Sequence, residues 1–247
     1  MPRLMRGMSA LQSTDFKHGI RPIAVFDLDG TLVDTAPDLT ASLNHCLHLH
    51  GMAPVCIETV RPFAGHGSRA MLRAAYGWAN TELPEDMLER HVENFLTYYE
   101  ANIAVGSTAF PGAVEALDRL SQAGFTLAVC TNKSERLAKV LLDSLGLSTR
   151  FAAICGYDSF PARKPDPRHL GGTIAQAGAE HSSSVMIGDT VTDMEAARNL
   201  GIASVLMSFG YDANEQARAM ATKILPTYDD LTAKLLLELM DSAGSGS

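Results

Sequence analysis

The sequence predicts an α/β fold, with a Rossmann-like, doubly wound parallel sheet that carries helices on both faces. Short apolar runs recur along the chain, and stretches with apolar residues at helical spacing lie between them. Regular alternation of strands and helices is typical of parallel sheets. One long interval lacks any strand pattern and predicts a helical insertion after the first strand.

Each strand is predicted from a short apolar run that ends in turn residues or charges. These runs cover residues 23–26, 126–130, 151–155, 184–187 and 203–207. The helices between them are predicted from apolar residues three and four positions apart. They cover residues 113–123, 135–145, 167–177 and 193–200.

No convincing strand is visible between residues 31 and 110, where prolines mark breaks or helix starts. The helical patterns in this interval cover residues 38–50, 57–76 and 84–102. We expect residues 35–107 to form a helical cap that emerges from the first strand and acts as a lid. The alternative is a second helical layer of one domain.

The chain has 247 residues, which is enough for a full core with an insertion. We expect the α/β core over residues 22–34 and 108–240. Residues 1–22 lack the apolar stretch of a secretory signal and are expected to be a flexible leader, with a transit segment as the alternative. Residues 241–247 are expected to be a flexible tail.

The composition excludes several classes of partner. The net charge of −8 argues against a nucleic-acid ligand, which normally binds a basic surface. No apolar run approaches the ~20 residues of a membrane span. The four cysteines are scattered, so reduced thiols and a cytoplasmic location are expected. An oligomer is neither indicated nor excluded by the sequence.

Two carboxylates follow the first predicted strand, in the run Asp27-Leu28-Asp29-Gly30-Thr31. A buried carboxylate without a partner is costly, so two of them at a strand end predict a cation. Ligands of open parallel sheets bind beyond the carboxyl ends of the strands. The side chains expected to converge there from the other strands are Thr131, Asn132, Lys133, Lys164, Asp189 and Asp193.

A hard divalent cation would relieve the repulsion between these carboxylates. Mg2+ prefers oxygen ligands and few protein carboxylates. The side chains of Asp27 and Asp189 and the backbone carbonyl of Asp29 are the predicted metal ligands. Asp193 lies one helical turn after Asp189, so both can face the same way.

The same residues predict a chemistry. A carboxylate beside Mg2+ can attack phosphorus and form an aspartyl-phosphate, and Asp27 is the predicted nucleophile because it ends the strand directly. Asp29 is the predicted general acid–base. Thr131, Lys164 and the backbone N–H groups near Gly30 are predicted to bind the phosphoryl oxygens.

The chain resembles the phosphohydrolases of the haloacid dehalogenase superfamily through four motifs in that family's order. The motifs are Asp27-Leu28-Asp29-Gly30-Thr31-Leu32-Val33-Asp34, Thr131-Asn132-Lys133, Lys164-Pro165-Asp166-Pro167 and Gly188-Asp189-Thr190-Val191-Thr192-Asp193. The resemblance implies a C1-type helical cap and the same roles for Asp27, Asp29, Thr131, Lys164 and Asp189. It makes Asp193 a support for the metal site or for Lys164.

Two further segments resemble the phosphoglycolate phosphatase subfamily. They are Asp34-Thr35-Ala36-Pro37-Asp38-Leu39 and Gly65-His66-Gly67-Ser68-Arg69. The resemblance implies a small-molecule phosphate ester as substrate, most readily 2-phosphoglycolate. Gly30, Asn132 and Arg69 are then expected to bind substrate, with Arg69 as a bidentate partner for its carboxylate. A solvated surface position is the alternative for Arg69.

Other functions stay open at this point. Phosphatases for sugar phosphates or N-acetylmuramic acid 6-phosphate share much of the pattern. A phosphomutase of this superfamily would carry a histidine shortly after the first motif, and residues 32–39 contain none. A non-catalytic phosphate-binding protein would not need all of these residue types.

Overall fold

The main sheet is parallel, as predicted, and contains six strands, one more than the five that the sequence indicated. The computed structural model describes residues 21–244. The strands of this sheet are β1 (Ile23–Phe26), β4 (Thr126–Cys130), β5 (Ala153–Cys155), β6 (Ser184–Gly188), β7 (Ala203–Met207) and β8 (Lys223–Leu225). Their spatial order is β5-β4-β1-β6-β7-β8. The first strand therefore lies at the centre, where its carboxyl end meets those of β4 and β6.

Helices cover both faces of the sheet. They are α5 (Ala113–Gln122), α6 (Glu135–Ser144), α7 (Pro167–Gln176), α8 (Val191–Leu200), α9 (Glu215–Met220) and α10 (Ala233–Gly244). Alternate residues of β1 point to opposite faces. Ala24 and Phe26 belong to a large core with α5, α6 and α10, whereas Ile23 and Val25 belong to a second core with α7 and α8. This division confirms the doubly wound architecture.

The insertion lies between two short strands, β2 (Val33–Asp34) and β3 (Thr108–Ala109), which pair in antiparallel fashion. Its helices are α1 (Ala36–Leu49), α2 (Ile57–Val60), α3 (Ser68–Trp78) and α4 (Glu85–Ala101), with a 3-10 helix over Arg61–His66. The expectation of no strand between residues 31 and 110 was wrong. Strands of two residues are too short to show alternation, and they form only because the two ends of the insertion meet in space.

Asp38, at the start of α1, binds residues 106–107, which precede β3 at the other end of the insertion. Its carboxylate accepts hydrogen bonds from the backbone N–H groups of Gly106 and Ser107, both at 2.8 Å, and from the Ser107 hydroxyl at 2.6 Å. Charge-assisted bonds of this kind are among the stronger ones in proteins. The insertion is thus tied at its base, next to the β2–β3 ladder.

The interval predicted to be helical over residues 57–76 is helical, and it is divided into α2, the 3-10 helix and α3, with a break close to the proline that the sequence marked. Pro62 lacks an N–H group, and Gly67, at φ +85°, turns the chain before α3. Residues 241–244, which were expected in the tail, belong to α10 instead. Residues 1–20 and 245–247, which carry most of the predicted leader and the rest of the tail, lie outside the described residues.

The structure also describes the cysteines and the lengths of the helices. The four cysteines, all within the described part of the chain, are free thiols. Between residues 21 and 244, no helix combines the length and apolar character that crossing a membrane requires.

Candidate active site

The carboxyl ends of three neighbouring strands bring the predicted site residues together. Phe26 at the end of β1 is in register with Val129 of β4 and Ile187 of β6. The residues that follow these positions therefore leave the sheet at one edge. Asp27 and Asp189 lie close together there, and Thr131 follows β4 at the same edge.

Asp27, Asp189 and Asp193 form a buried acid cluster, in which one oxygen from each carboxylate lies within 4.8 Å of the others. Burial raises the pKa of the Asp27 carboxyl to about 6, against the attraction of Lys164. Burial and repulsion from Asp193 and Asp27 raise the pKa of Asp189 well above its usual value. Both shifts express the same fact, that negative charge is poorly compensated at this point.

The oxygen atoms of the acid cluster fit a hard divalent cation. Asp27 Oδ1 is buried and makes no hydrogen bond of good geometry, although Lys164 Nζ lies 2.8 Å away. Asp189 accepts the Thr31 hydroxyl at 2.8 Å and the Tyr211 backbone N–H at 2.7 Å. Carboxylates have lone pairs beyond these contacts. An oxygen-only donor set with excess negative charge is the type that Mg2+ prefers.

Asp193 has a different position in the cluster. Its Oδ1 accepts Lys164 Nζ at 2.7 Å, and its Oδ2 accepts the backbone N–H and hydroxyl of Thr190 at 3.1 and 2.7 Å. The Thr190 contacts form a capping box at the start of α8. Asp193 therefore holds Lys164 and the helix start, which leaves Asp27 and Asp189 as the side chains for a metal.

Lys164 lies between Asp27 and Asp193 with only 3% of its surface exposed. Although burial acts to lower the pKa of this lysine, the two carboxylates outweigh it and raise the pKa. The loop that carries Lys164, between β5 and α7, has two further contacts. The Asn132 side-chain amide donates to the Lys164 carbonyl at 3.0 Å, and His169 accepts the Lys164 backbone N–H at 3.2 Å. The Asn132 amide nitrogen thus positions Lys164; contact of Asn132 with substrate stays a prediction.

Asp29 lies beside the acid cluster and has its own partners. Both of its oxygens are 3.0 Å from Lys133 Nζ, and Oδ1 also accepts the Thr35 hydroxyl at 2.7 Å. The sequence grouped Lys133 with the second motif but assigned it no role. Its position two residues after Thr131 could have indicated a role, because the loop after β4 lies at the edge of the sheet that carries the site.

Thr131 lies in the loop between β4 and α6. The helix begins at Glu135, as predicted, with Ser134 as its N-cap. The buried Thr131 hydroxyl oxygen accepts the Lys133 N–H at 3.1 Å, which leaves its hydrogen available for a ligand. The loop between strand and helix therefore presents the hydroxyl at the sheet edge.

Gly30 does not offer the free N–H group that the sequence suggested. Its N–H donates to the Val33 carbonyl at 3.0 Å within the tight loop after β1. The glycine is needed for space, because a Cβ at this position would lie 2.4 Å from Asp189 Oδ2 and 2.8 Å from the Tyr211 ring. Its φ of +84° also favours glycine. Gly30 therefore leaves room for the Asp189 carboxylate, and its N–H is used within the loop rather than free for phosphate.

Arg69 is not brought to the acid cluster. It lies on α3, about half exposed, and makes a two-pronged ion pair with Glu89 of α4. The expected contact with substrate would require this pair to open. Its role stays a prediction that the structure does not support.

A different part of the insertion lies against the core near the site. Arg61 makes an ion pair with Asp34 at 2.9 Å, and its guanidinium lies 5.7 Å from the centre of the Tyr211 ring. A Cβ on Gly65 would lie 3.9 Å from Thr190 Cγ2. The 3-10 helix Arg61–His66 thus lies over the start of α8. Neither Arg61 nor Tyr211 had a sequence signal, because both contacts join distant parts of the chain.

Comparison with known proteins places these residues in context. The family model of the haloacid dehalogenase-like hydrolases matches residues 24–207. A phosphoglycolate phosphatase from Agrobacterium fabrum is 43% identical over 228 residues, which is 92% of this chain and 98% of that protein. A phosphoglycolate phosphatase from Mesorhizobium japonicum is 42% identical over 224 residues, or 91% and 99% of the two chains.

A solved structure agrees with the fold. It is described as a predicted phosphoglycolate phosphatase from Haemophilus somnus 129PT, and it superposes with a TM-score of 0.78 at 30% sequence identity. The match covers 85% of this chain and 96% of that one. The sheet and the strand ends that carry the acid cluster lie within the residues that the family model matches.

Proposed function

We propose, on the premise that the chain belongs to the haloacid dehalogenase-like hydrolases, that it is a Mg2+-dependent phosphomonoesterase which hydrolyses 2-phosphoglycolate to glycolate and phosphate. One observation carries the reaction type: Asp27 lies between the Lys164 ammonium and Asp189, with Asp29 two residues further along the chain. The substrate is supported by the relatives named phosphoglycolate phosphatase.

The residues of the site divide the reaction between them. Asp27 attacks phosphorus, while Lys164 and the Thr131 hydroxyl donate to the phosphoryl oxygens. Asp29 gives a proton to the leaving glycolate oxygen. Water then attacks the phosphorus of the aspartyl-phosphate while Asp29 accepts a proton from that water. The Asp27 oxygen–phosphorus bond breaks, phosphate leaves and the Asp27 carboxylate is restored.

Asp27 and Asp189 would hold the Mg2+ ion, which supplies positive charge against the carboxylates and the phosphoryl group. The backbone carbonyl of Asp29 stays part of this proposal as a ligand. Asp193 acts through Lys164, which it holds at 2.7 Å. Without the ion, repulsion within the acid cluster would oppose binding of an anionic substrate.

The helical insertion would act as the lid over this edge. Its Arg61–Asp34 ion pair and the approach of Gly65 to Thr190 support closure against the core. Exclusion of water would strengthen the electrostatic contacts of the phosphoryl group. The four free cysteines support the expected cytoplasmic location, where thiols stay reduced.

A panel of phosphate esters assayed with Mg2+ tests the proposal. It should contain 2-phosphoglycolate, several sugar phosphates, N-acetylmuramic acid 6-phosphate and a generic aryl phosphate. We expect the highest kcat/KM for 2-phosphoglycolate. A similar kcat/KM for all of them would refute the substrate, and isomerisation of a hexose 1-phosphate without release of phosphate would favour a mutase.

Asp27→Asn tests the mechanism separately. The variant keeps the shape of the side chain but loses the nucleophile, so we expect no measurable turnover of any ester. Undiminished hydrolysis of the aryl phosphate by a folded Asp27→Asn protein would exclude Asp27 as the nucleophile. Circular dichroism of the variant provides the control for folding.

A further inference from the structure

Lys133 is a buried cation at the side of Asp29 that faces the insertion. Its side chain is 7% exposed, and its Nζ lies 3.0 Å from Asp29 Oδ2. The same ammonium lies 4.7 Å from the centre of the Tyr99 ring, in cation–π geometry. Tyr99 belongs to α4, so Lys133 connects the loop after β4 with the insertion.

The buried Tyr99 hydroxyl is the second feature of this region. The residue is 1% exposed, and within residues 21–244 its hydroxyl makes no hydrogen bond of good geometry, although the Lys133 ammonium is close enough to interact with it. A buried hydroxyl left in this state costs about 1–3 kcal/mol, so such groups usually mark the place of a ligand or a water molecule. The hydroxyl proton therefore has no acceptor of good geometry, and it lies beside the Lys133 cation.

The other cations have other roles or positions. Lys164 contacts Asp27 and Asp193 and is assigned to the phosphoryl oxygens, Arg61 pairs with Asp34, and Arg69 lies away from the acid cluster with Glu89. Lys133 is also paired, with Asp29, but an ammonium has three donors and can contact a second anion. It is therefore the cation nearest to the acid–base group that can take a further anionic partner.

The chemistry of the ester places its remaining atoms on this side. Asp29 is the group that would protonate the leaving oxygen, so the leaving group lies next to Asp29. In 2-phosphoglycolate a single methylene separates the leaving oxygen from the carboxylate carbon. A carboxylate so close to the leaving oxygen would lie within reach of the Lys133 ammonium.

We propose that Lys133 and Tyr99 form the subsite for a substrate carboxylate, which restricts the enzyme to phosphate esters of short 2-hydroxy acids. The inference rests on the proposed function, and it assigns the carboxylate to Lys133 instead of Arg69. The Lys133 ammonium, from the core, and the Tyr99 hydroxyl, from the insertion, each donate a hydrogen bond to the substrate carboxylate. The carboxylate thus binds both parts when the lid is closed.

Two esters of matched size test the subsite. 2-Phosphoglycolate carries the carboxylate, and ethyl phosphate has a methyl group in its place. The measured quantity is the ratio of kcat/KM for 2-phosphoglycolate to kcat/KM for ethyl phosphate. Loss of a purely structural contact with Asp29 would lower both values together and leave this ratio unchanged.

For Lys133→Met we expect the ratio to fall by a factor of about 10–100, mainly through a higher KM for 2-phosphoglycolate. For Tyr99→Phe, which keeps the ring over Lys133, we expect a fall of about 3–10-fold. Lys133→Gln keeps hydrogen-bond donors but has no charge, and it replaces Lys133→Met if that variant does not fold. Arg69→Met is the matched control and should leave the ratio unchanged.

Each outcome decides a different question. An unchanged ratio in the Lys133 variants, or a fall confined to Arg69→Met, would overturn the subsite while the phosphatase proposal stands. A wild-type protein that hydrolyses neither ester would refute the proposed function. A wild-type protein that hydrolyses both esters with equal kcat/KM would refute the carboxylate specificity and the subsite together.

Discussion

The backbone N–H of Tyr211 donates a 2.7 Å hydrogen bond to Asp189 Oδ2, so the loop after β7 holds one side of the acid cluster. The hydroxyl of the same tyrosine accepts the backbone N–H groups of Thr35 and Ala36 at 2.6 and 2.9 Å and donates to Asp34 at 2.8 Å. One residue therefore connects the acid cluster of the core with the segment where the chain enters α1.

Tyr211→Phe separates these two contacts. The variant removes the acceptor of the Thr35 N–H and leaves the Ala36 N–H with only its longer bond to Asp34 at 3.3 Å, so we expect the free energy of unfolding to fall by about 1–3 kcal/mol. The backbone bond to Asp189 stays, so the Mg2+ concentration for half-maximal activity should change by less than about 3-fold. Urea unfolding and Mg2+ titration measure the two effects.

Tyr228→Phe is the control for Tyr211, because the Tyr228 hydroxyl is also buried but donates only to the Thr31 carbonyl at 2.9 Å. This variant leaves no N–H group without an acceptor and should be less destabilising. A larger loss of stability in Tyr228→Phe would contradict the capping role of the Tyr211 hydroxyl.

Asp189→Asn tests the charge of the acid cluster. The pKa of Asp189 is raised, so its ionised form is disfavoured in the folded protein, and the resulting loss of stability is present at pH values above the usual carboxyl pKa. Without metal at pH 8, the variant should therefore melt about 2–5 °C above the wild type. Added Mg2+ should raise the Tm of the wild type and have little effect on the variant.

Thermal unfolding in chelator and in Mg2+ measures these differences. A metal-free Asp189→Asn protein that melts below the wild type at pH 8 would contradict the claim of uncompensated charge. An equal rise of Tm with Mg2+ in both proteins would argue against Asp189 as a ligand.

Gly30→Ala tests the space behind Asp189. The new Cβ would lie 2.4 Å from Asp189 Oδ2, so the carboxylate must move. We expect the Mg2+ concentration for half-maximal activity to rise by about 10-fold or more. Gly201→Ala is the control, because Gly201 also has a positive φ, +75°, but nothing lies within 4 Å of its Cβ position. Gly201→Ala should cost about 1–2 kcal/mol of stability and leave the Mg2+ requirement unchanged.

The pH dependence of stability tests His169. Burial, aided by the charge of Lys164, lowers the pKa of this histidine to about 4, from an ordinary value of 6.5. The unfolded chain therefore binds a proton that the folded protein does not between these values. Stability is full above pH 6.5 and is lost as the pH falls toward 4, by at most roughly 3 kcal/mol.

His169→Asn keeps an acceptor for the Lys164 N–H but cannot titrate. The difference in unfolding free energy between wild type and variant should shrink, or reverse in the variant's favour, when urea unfolding is repeated at pH 4.5 instead of pH 7.5. Parallel pH profiles for the two proteins would show that His169 does not titrate as proposed. Because the comparison is between two proteins, groups with the opposite trend, such as Asp27, cancel.

Much of the site could be predicted because it depends on local pattern. Asp27, Thr131 and Asp189 follow short apolar runs, and parallel strands must bring their carboxyl ends to one edge. Asp193 follows Asp189 by one helical turn, so the helix period alone predicts that both face the same way. These positions needed only strand direction and helix period.

The sequence by itself determined the doubly wound sheet, the interval of helices and the group of acids with Lys164 at one edge. Tertiary structure alone decided which partners those groups take: Lys133 for Asp29, Glu89 for Arg69 and the Tyr211 loop for Asp189. The physical reason is the separation of the interacting residues along the sequence. Periodicity and strand ends are properties of neighbouring residues, whereas ion pairs and hydrogen bonds between distant segments depend on how the insertion and the loops pack.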